Sequence, residues 1–468
     1  MPNRLAARNG GRWGVAALVA ILLLGLGLRV GEAWDGRAPV YDAAAYAAIA
    51  RNLDAGDGFT VGARATQPSS DYSPGLPLFV AGLYGVTGVH ERLARVVLAL
   101  LGTLAVLFTY LLARRMRGVV AGLIAALVVA IYPATIEYTG MLMTEPLAAT
   151  LLVGAILAIL WAGDGAGPWR WLVPGLSLGA LALVRPEYLA IGLLLALLVL
   201  LHERFAHRRL GHPAVSSQKP SDSDENCELT GGRRWRRALL AALVVVLGIV
   251  VVVAPWTVRN AFALHRFVAV STGGGQVLYA GTYLPSDGDP EKVGAAVIEE
   301  HPDLFGPHAI ENLRLEQILA RLGERTYPGL EPDQALSKMG KEQLGDDITE
   351  QTGEYIGFVA RKVGRIWSHG PRAVMREPLW EALHWALLGL GLLGLGLLAW
   401  LRRREALLIG AVFLAITLIT ALVAVASPRR VLVLVPLLAA CAGTAAVWLA
   451  AGARALPRRG HPDERVAD

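Results

Sequence analysis

The stretch ALLAALVVVLGIVVVVAP, residues 238–255, contains no polar side chain. Comparable apolar runs recur along the 468-residue chain, which is 54% hydrophobic and 18% charged, with a mean hydropathy of +0.47. A soluble protein of this length has more charge and shorter apolar runs. The runs are continuous rather than alternating, and a backbone in hydrocarbon must satisfy its own hydrogen bonds, so helices are favoured over a barrel. The sequence therefore predicts an all-α polytopic membrane protein.

Ten apolar runs are predicted to span the membrane. Several are shorter than the roughly 20 residues that a crossing helix needs. The first is predicted to be an uncleaved anchor, since no small-residue cleavage site follows it. The run 74–86 is shorter still and suits a re-entrant or interfacial helix. The predicted spans are 13–30, 92–113, 118–133, 145–162, 171–185, 187–202, 238–255, 378–401, 405–425 and 430–451.

Arginine clusters beside the spans predict the orientation of the chain. With ten spans, the clusters before the first span and in three of the loops all fall on the same side as both termini. Basic loops mark the cytoplasmic side of a membrane protein. The net charge of +6 is thereby explained by topology, and we expect no nucleic-acid partner.

This topology divides the chain into membrane modules, a linker and two outer segments. The linker is polar and rich in Ser, Asp and Pro, and we expect it to be disordered. The larger outer segment contains amphipathic patterns typical of helices that lie on the membrane surface. The predicted divisions are an N-terminal membrane module (1–202) with a first outer loop (31–91), a cytoplasmic linker (203–237), a membrane helix (238–255), an outer loop domain (256–377), C-terminal membrane helices (378–451) and a cytoplasmic tail (452–468).

Charged side chains concentrate at the outer ends of the predicted spans. In a membrane such residues are rare and are usually functional. A proton or ion pathway would distribute carboxylates through the bilayer, and none of the ten spans has a convincing one at mid-depth. This disfavours an ion-coupled transporter and favours a site at the outer interface. Carboxylates mixed with arginines suit an anionic substrate, such as a lipid that carries phosphate.

Several motifs occur in order along the chain and carry a family resemblance. Together they resemble the GT-C glycosyltransferases of family 39, the bacterial relatives of protein O-mannosyltransferases and of the lipid A aminoarabinose transferase. The resemblance covers most of the chain outside the linker and the tail. The motifs are YDAAAYAAIARNLDAGDGF (41–59), YSPGLPLFVAGLYGV (72–86), TEPLAATLL (144–152), LVRPEYLAI (183–191), PWTVRNAF (255–262), STGGGQVLYAG (271–281) and SPRRVLVLVPLL (427–438).

The resemblance implies both a fold and an activity. The fold is a GT-C-like bundle of about 10–13 transmembrane helices with amphipathic outer-surface helices and a large outer loop. The activity is transfer of a sugar from a polyprenyl-phosphate carrier to an acceptor at the outer face of the cytoplasmic membrane, by direct displacement with inversion. The acceptor is a lipid, a glycan or a protein.

Asp42 is the predicted catalytic base. By resemblance the first outer loop of the family begins with an Asp, which Asp42 matches, and Ala43 stands where a second carboxylate often follows. A carboxylate can take the proton of an acceptor hydroxyl as the new bond forms. The alternative is that Asp42 only caps a helix over 43–53. Tyr46 lies one turn further on the same face, where it contacts substrate or anchors the helix at the interface.

Four arginines are predicted to bind the donor phosphate: Arg185, Arg259, Arg429 and Arg430. Guanidinium groups hold phosphate bidentately and stabilise the charge that develops on it. The alternative for Arg185 and Arg259 is an interfacial arginine that snorkels to the membrane surface. Arg429 and Arg430 lie outside, against the positive-inside tendency, so a ligand is the simpler account of that pair.

Four further residues are predicted to contact substrate: Asp71, Tyr72, Glu145 and Glu187. Glu145 follows Thr144 at a helix start, where its charge complements the helix dipole. The alternatives are that Glu145 positions the acceptor or orients an arginine. Asp71, in DYSPG, is typical of a turn, with substrate contact as the second interpretation.

No metal or other cofactor is predicted beyond the polyprenyl-phosphate-linked sugar donor. STGGGQ lacks the Lys and Ser/Thr of a P-loop. Asp287 and Asp289 in SDGD are more typical of a turn than of a divalent-ion site, and no His pair has metal-ligand spacing. The competing hypotheses are a polytopic lipid or solute transporter without glycosyl transfer, and a non-catalytic family member that scaffolds an envelope complex.

Overall fold

The computed structural model describes residues 2–35, 39–62, 67–165, 167–205, 223–306, 309–368 and 370–455, and the regular structure in these ranges is helical. The α-helices are α1 Pro2–Asp35, α2 Asp42–Ala55, α3 Gly75–Thr87, α4 Glu91–Arg117, α5 Val119–Ile131, α6 Pro133–Glu137, α7 Thr144–Gly163, α8 Leu172–Val184, α9 Glu187–Phe205, α10 Ser223–Leu264, α11 Gly274–Thr282, α12 Pro290–Glu300, α13 Ala309–Asn312, α14 Leu315–Thr326, α15 Pro332–Glu350, α16 Thr352–Ser368, α17 Pro378–Trp400, α18 Arg404–Val423 and α19 Val435–Ala455. The predicted all-α class is confirmed.

Each of the ten predicted spans falls on a helix. By length and composition, seven helices of the described residues can cross a membrane: Arg12–Asp35, Glu91–Arg117, Thr144–Gly163, Trp235–Leu264, Pro378–Trp400, Arg404–Val423 and Pro428–Gly452. The remaining predicted spans coincide with α5, α8 and α9, of which α5 and α8 have 13 residues each. Helix α3 matches the short apolar run after Pro74.

The predicted linker is helical at both of its ends. Helix α9 runs to Phe205, and α10 begins at Ser223, well before the predicted span 238–255. The expected disorder therefore does not extend over 223–237. The rest of the linker, 206–222, and the end of the tail, 456–468, lie outside the described residues.

A single glycine separates α4 from α5 and makes the two helices antiparallel. Gly118 has φ of 91°, a conformation that only glycine adopts at little cost, and its N–H donates to the carbonyl of Arg114 at 2.8 Å. Gly122 then lies directly against Tyr110, because a Cβ there would be 2.7 Å from the Tyr110 ring. These contacts form one side of the bundle around α19, the most buried of the long helices.

Arg29 of α1 is fully buried among the membrane helices. Its guanidinium donates to the carbonyls of Val129 at 2.8 Å and Ala130 at 2.9 Å, and to the Thr135 hydroxyl at 3.0 Å. The last carbonyls of a helix lack partners within the helix. Arg29 therefore caps the end of α5, and this accounts structurally for one charged residue within a span.

The outer segment forms a second, smaller core. Helices α11, α12, α14 and α15 bury Tyr279, Val293, Ile318 and Leu336 against one another. Helix α16 joins this core to the membrane helices, and its buried positions Tyr355, Phe358, Lys362 and Ile366 have the spacing of one amphipathic face. Tyr355 donates its hydroxyl to the carbonyl of Leu422 in α18 at 2.9 Å. The amphipathic pattern in this segment does form a helix, and its position on the membrane surface stays a prediction.

Candidate active site

Six charged residues form a continuous ion-pair network at one end of the helix bundle. Each neighbouring pair in the network has opposite charge, and the three carboxylates alternate with three guanidinium groups. In order, its members are Asp42, Arg429, Glu145, Arg185, Glu187 and Arg430. The structure thus brings together six of the ten residues that were predicted to form the site.

Helix starts present the three carboxylates of the network. Asp42, Glu145 and Glu187 lie in the first turns of α2, α7 and α9, where a negative charge complements the helix dipole. Arg185 lies between α8 and α9, before a proline that ends helical continuation. Arg429–Arg430 lie in the 3-10 helix Pro428–Leu434 that leads into α19. Helices that are distant in sequence therefore meet at one charged cluster.

Arg429 is the centre of the network. Its Nη1 donates to Oδ2 of Asp42 at 2.7 Å, and its Nε contacts Oε1 of Glu145. The guanidinium carbon also lies 5.9 Å from the ring centroid of Tyr138, within the range of a cation–π contact. Two carboxylates and the face of an aromatic ring thereby fix the orientation of the Arg429 guanidinium. Tyr138 was not among the predicted site residues. Its position seven residues before Glu145 is the sequence feature that could have pointed to it.

The ion pair at the far end of the network, between Glu187 and Arg430, is the loosest. Arg185 contacts Glu145 at 3.4 Å and Glu187 at 3.0 Å, whereas Nη1 of Arg430 lies 3.8 Å from Oε1 of Glu187. The last distance is longer than a hydrogen bond. Arg430 consequently retains most of its donors for another partner.

Burial differs strongly between the two carboxylates that contact Arg429. The Glu145 side chain is 3% exposed, whereas that of Asp42 is 37% exposed. A buried carboxylate needs charged partners, and Glu145 has Arg185 and Arg429. Glu145 thus has the geometry of a residue that orients arginines, and Asp42 is the carboxylate that a substrate can reach.

Asp42 is not the N-cap of its helix. The N-cap position is Tyr41, whose φ of 51° is unusual for a non-glycine residue, and Asp42 is the first helical residue. The side chain of Asp42 pairs with Arg429. The helix therefore begins one residue earlier than predicted, and capping alone does not account for Asp42.

Two tyrosines lie beside Asp42. Tyr46 is buried, and its ring meets that of Tyr72 edge-on with centroids 5.5 Å apart. Burial and the Asp42 carboxylate raise the pKa of Tyr46 above its usual range. Burial, with Glu316 and Asp42, raises the pKa of Tyr72 to about 12. Both phenols therefore keep their protons at neutral pH and are available as hydrogen-bond donors.

Asp71 links the first outer loop to the STGGGQ segment. Its Oδ1 accepts from the Thr272 hydroxyl at 2.7 Å, and its Oδ2 accepts from the Ser69 hydroxyl at 3.0 Å. These bonds are those of a turn residue that holds two segments together. A contact between Asp71 and substrate stays a prediction.

Arg259 lies apart from the ion-pair network. Its guanidinium donates to the carbonyls of Ser69 at 2.8 Å and Phe59 at 3.3 Å, and stacks on Trp256 at 4.8 Å from the ring centroid. The side chain thus holds the first outer loop against α10. This geometry differs from both sequence-based interpretations, phosphate binding and snorkelling.

The two aspartates of SDGD have structural partners. Asp287 pairs with Arg361 at 2.6 Å and with Arg365, and Asp289 caps α12 by accepting from the N–H of Glu291 at 3.0 Å. In the described part of the chain, no group of three or more His, Cys, Asp or Glu residues is arranged to hold a metal ion.

Comparisons with known proteins agree with this architecture. Residues 71–216 match the model of the dolichyl-phosphate-mannose-protein mannosyltransferase family. The resemblance inferred from the motifs is confirmed over this stretch. The matched stretch includes the predicted site residues Asp71, Tyr72, Glu145, Arg185 and Glu187. A search of curated protein sequences found no match.

Two solved structures share the fold. The archaeal oligosaccharyltransferase AglB from Archaeoglobus fulgidus, in complex with an inhibitory peptide and a dolichol-phosphate, aligns with a TM-score of 0.52 and 16% identity over 96% of this chain and 52% of that chain. The oligosaccharyltransferase of the same organism, tethered to an acceptor peptide with the NVT sequon, aligns with a TM-score of 0.52 and 17% identity. That alignment covers 94% of this chain and 50% of that chain. The chain thus spans about half the length of these enzymes, and at this identity the similarity shows a shared fold.

The alignment with a third solved structure covers a larger share of that structure's chain. ArnT from Cupriavidus metallidurans bound to undecaprenyl phosphate aligns over 98% of this chain and 82% of that chain, with 17% identity and a TM-score of 0.38. That score is too low to show a shared fold.

Proposed function

We propose that this protein is a membrane glycosyltransferase that moves a sugar from a polyprenyl-phosphate-linked donor to a hydroxyl of a lipid, glycan or protein acceptor. The observation that carries the proposal is the position of Arg429, which joins the accessible carboxylate of Asp42 to a group of arginines. The mannosyltransferase family match supports the same chemistry. The arginine clusters support placing the site at the outer face of the cytoplasmic membrane, with both termini inside.

In this proposal Arg429 and Arg430 hold the donor phosphate. A guanidinium group carries five N–H donors, and the contacts of Arg430 leave most of its donors free. Phosphate and guanidinium match in geometry, so two neighbouring arginines bind the leaving group bidentately. The charge that develops on the phosphate as the glycosidic bond breaks is thereby stabilised. Arg185 pairs with Glu145 and Glu187 and thereby fixes the orientation of these two carboxylates within the network.

Asp42 acts as the general base. The acceptor oxygen attacks the anomeric carbon, the bond from that carbon to the phosphate oxygen breaks, and polyprenyl phosphate leaves with the bonding electrons. The hydroxyl proton passes to the Asp42 carboxylate. A phosphate that engages Arg429 competes with the 2.7 Å bond between Arg429 and Asp42, so donor binding frees Oδ2 to accept this proton. A single displacement of this kind inverts the anomeric configuration.

Tyr46 and Tyr72 add two phenol groups to the polar side chains around the base. Their protonated phenols lie next to Asp42 and offer donors to sugar hydroxyls. Aromatic rings combine a polar tip with apolar surface, which suits a site where a sugar meets a lipid carrier. Arg259 has no role in substrate binding in this account, because both of its terminal nitrogens donate to carbonyls of the first outer loop.

A transfer assay in lipid nanodiscs tests the proposal. The purified protein is given polyprenyl phosphate linked to a hexose or to an aminopentose, together with membrane lipid and glycan extracts as acceptors. We expect sugar-dependent release of free polyprenyl phosphate with at least one donor. If the donor remains intact and instead changes leaflet in a reconstituted vesicle, the transporter hypothesis is supported and this proposal is wrong.

A further inference from the structure

Lys362 is a fully buried lysine on the inner face of α16. Its Nζ donates to the carbonyl of Gly281 at 2.6 Å and lies 4.9 Å from the ring centroid of Phe358. Burying an ammonium group costs free energy unless it has several partners. A buried lysine at this position therefore needs a structural role, which its contacts with neighbouring segments indicate.

The segment 281–288 of the outer domain passes between Lys362 and the end of α18. A Cβ at Gly288, where φ is 70°, would be 2.5 Å from Cγ of Lys362. A Cβ at Gly281 would be 2.5 Å from the carbonyl oxygen of Val423. The two glycines thus allow the segment to touch the lysine stem on one side and the chain after α18 on the other. The position of Lys362 and the path of this segment depend on each other.

This junction leads directly to the phosphate-binding arginines. The carbonyl of Gly288 accepts from the N–H of Ala426 at 3.1 Å. Ala426 is followed by Ser427 and Pro428, and the proline fixes the backbone just before Arg429. A shift of the segment 281–288 is therefore transmitted over a few bonds to Arg429 and Arg430.

We propose that Lys362 is a positioning residue for the donor phosphate. It holds segment 281–288 against residues 423–427 and so fixes where Arg429 and Arg430 point. This inference rests on the proposed function, because it assigns a role within the same site. The role is indirect, since Lys362 acts through segment 281–288 and residues 423–427.

Charge makes this junction sensitive to pH. Burial and the neighbouring Arg430 lower the pKa of Lys362 to about 7. The other charges at the junction, Arg361 and Arg365 on α16 and Asp287 on the segment, pair with one another. Below pH 7 the lysine gains a proton and a positive charge close to Arg430 in a buried setting, where repulsion is poorly screened. A bound phosphate offsets this repulsion, so we expect donor affinity to rise as the pH drops through about 7.

Two substitutions separate the hydrogen bond from the charge. Lys362→Met keeps the apolar stem and removes the amine, and Lys362→Gln keeps a donor for the Gly281 carbonyl without a charge. Lys338→Met, on the exposed side of α15, is the matched control. The readouts are KM for the donor, kcat, and thermal stabilisation by free polyprenyl phosphate, each from about one unit below to one unit above pH 7.

We expect Lys362→Met to raise KM about fivefold above pH 7 with little change in kcat, as for the loss of one hydrogen bond. Lys362→Gln restores KM, and neither variant retains the rise in donor affinity below pH 7. The inference is overturned if both variants keep the wild-type pH profile, or if kcat and melting temperature fall together while KM is unchanged. A wild-type protein that binds polyprenyl phosphate but transfers no sugar refutes the proposed function, and the binding profile then still tests Lys362.

Discussion

Arg429 donates from Nη1 to Oδ2 of Asp42 at 2.7 Å, although 387 positions separate the two residues in the chain. The pair joins the first outer loop to the segment that leads into the last membrane helix. Glu145 holds Arg429 from the buried side, and among the described residues Asp42 is the accessible carboxylate in contact with this arginine. In the described residues this arrangement places a base and a phosphate-binding group within one hydrogen bond of each other.

Glu145→Gln removes the buried charge that orients two arginines. We expect a loss of about 3–5 kcal/mol in stability, since breaking a buried ion pair leaves charge uncompensated. Transfer should also fall, because Arg429 and Arg185 lose their common partner. Thermal unfolding in detergent and the carrier-release assay measure the two effects. Glu291→Gln, an exposed carboxylate in the first turn of α12, is the control. Wild-type stability in Glu145→Gln would contradict an orienting role.

Arg430 and Arg259 are expected to differ, although the sequence gives both the same predicted role. Arg430→Gln should raise KM for the donor at least tenfold, because a charge-assisted bond to phosphate is worth about 1.5–3 kcal/mol. Arg259→Gln should lower thermal stability and leave KM near the wild-type value, because its partners are backbone carbonyls. Donor titrations of both variants measure this. An equal rise in KM for the two variants would mean that Arg259 also binds the donor phosphate, which would contradict this prediction.

Asp347 is a buried carboxylate whose Oδ2 has no hydrogen-bond partner. Burial, with Asp346 and Glu354, raises its pKa from 3.8 to about 6. The folded state therefore binds more protons than the unfolded state between these values, and stability falls as the pH rises through this window. At pH 7 the full cost of the buried charge is present.

We expect Asp347→Asn to raise the melting temperature by a few degrees at pH 7 and to bring no gain below about pH 4. Asp346→Asn, at the exposed neighbour, is the control and should bring a smaller change. Melting temperatures across the pH range check the prediction. A gain that does not depend on pH would mean that Asp347 is not protonated in the native state at low pH.

The sequence predicted the helices and the location of charge well, because both depend on local patterns. Continuous apolar runs placed every predicted span on a helix, and Glu145 and Glu187 stand at helix starts that Thr144 and Pro186 help to mark. Arg259 was assigned by its position after a span. That signal does not distinguish an arginine that faces a ligand from one that faces loop carbonyls. The carbonyls of Phe59 and Ser69 make the difference for Arg259.

Tertiary contacts decided what the sequence left open. The spacing of Tyr355, Phe358, Lys362 and Ile366 indicates a lysine on the apolar face of α16, but its acceptor on Gly281 comes from a segment about 80 positions away. The pairing of Arg429 with Asp42 has the same origin, since it depends on how the tertiary fold brings the start of α2 to the 3-10 helix Pro428–Leu434.

The most direct test is single-turnover release of polyprenyl phosphate by Asp42→Asn. The variant keeps the shape of the side chain and a contact to Arg429, and it lacks the base. Asp54→Asn, at the exposed far end of α2, is the matched control. We predict that Asp42→Asn binds the donor and releases the carrier about 10²–10⁴ times more slowly than the wild type, while Asp54→Asn is unaffected. Release by Asp42→Asn at the wild-type rate would contradict the account.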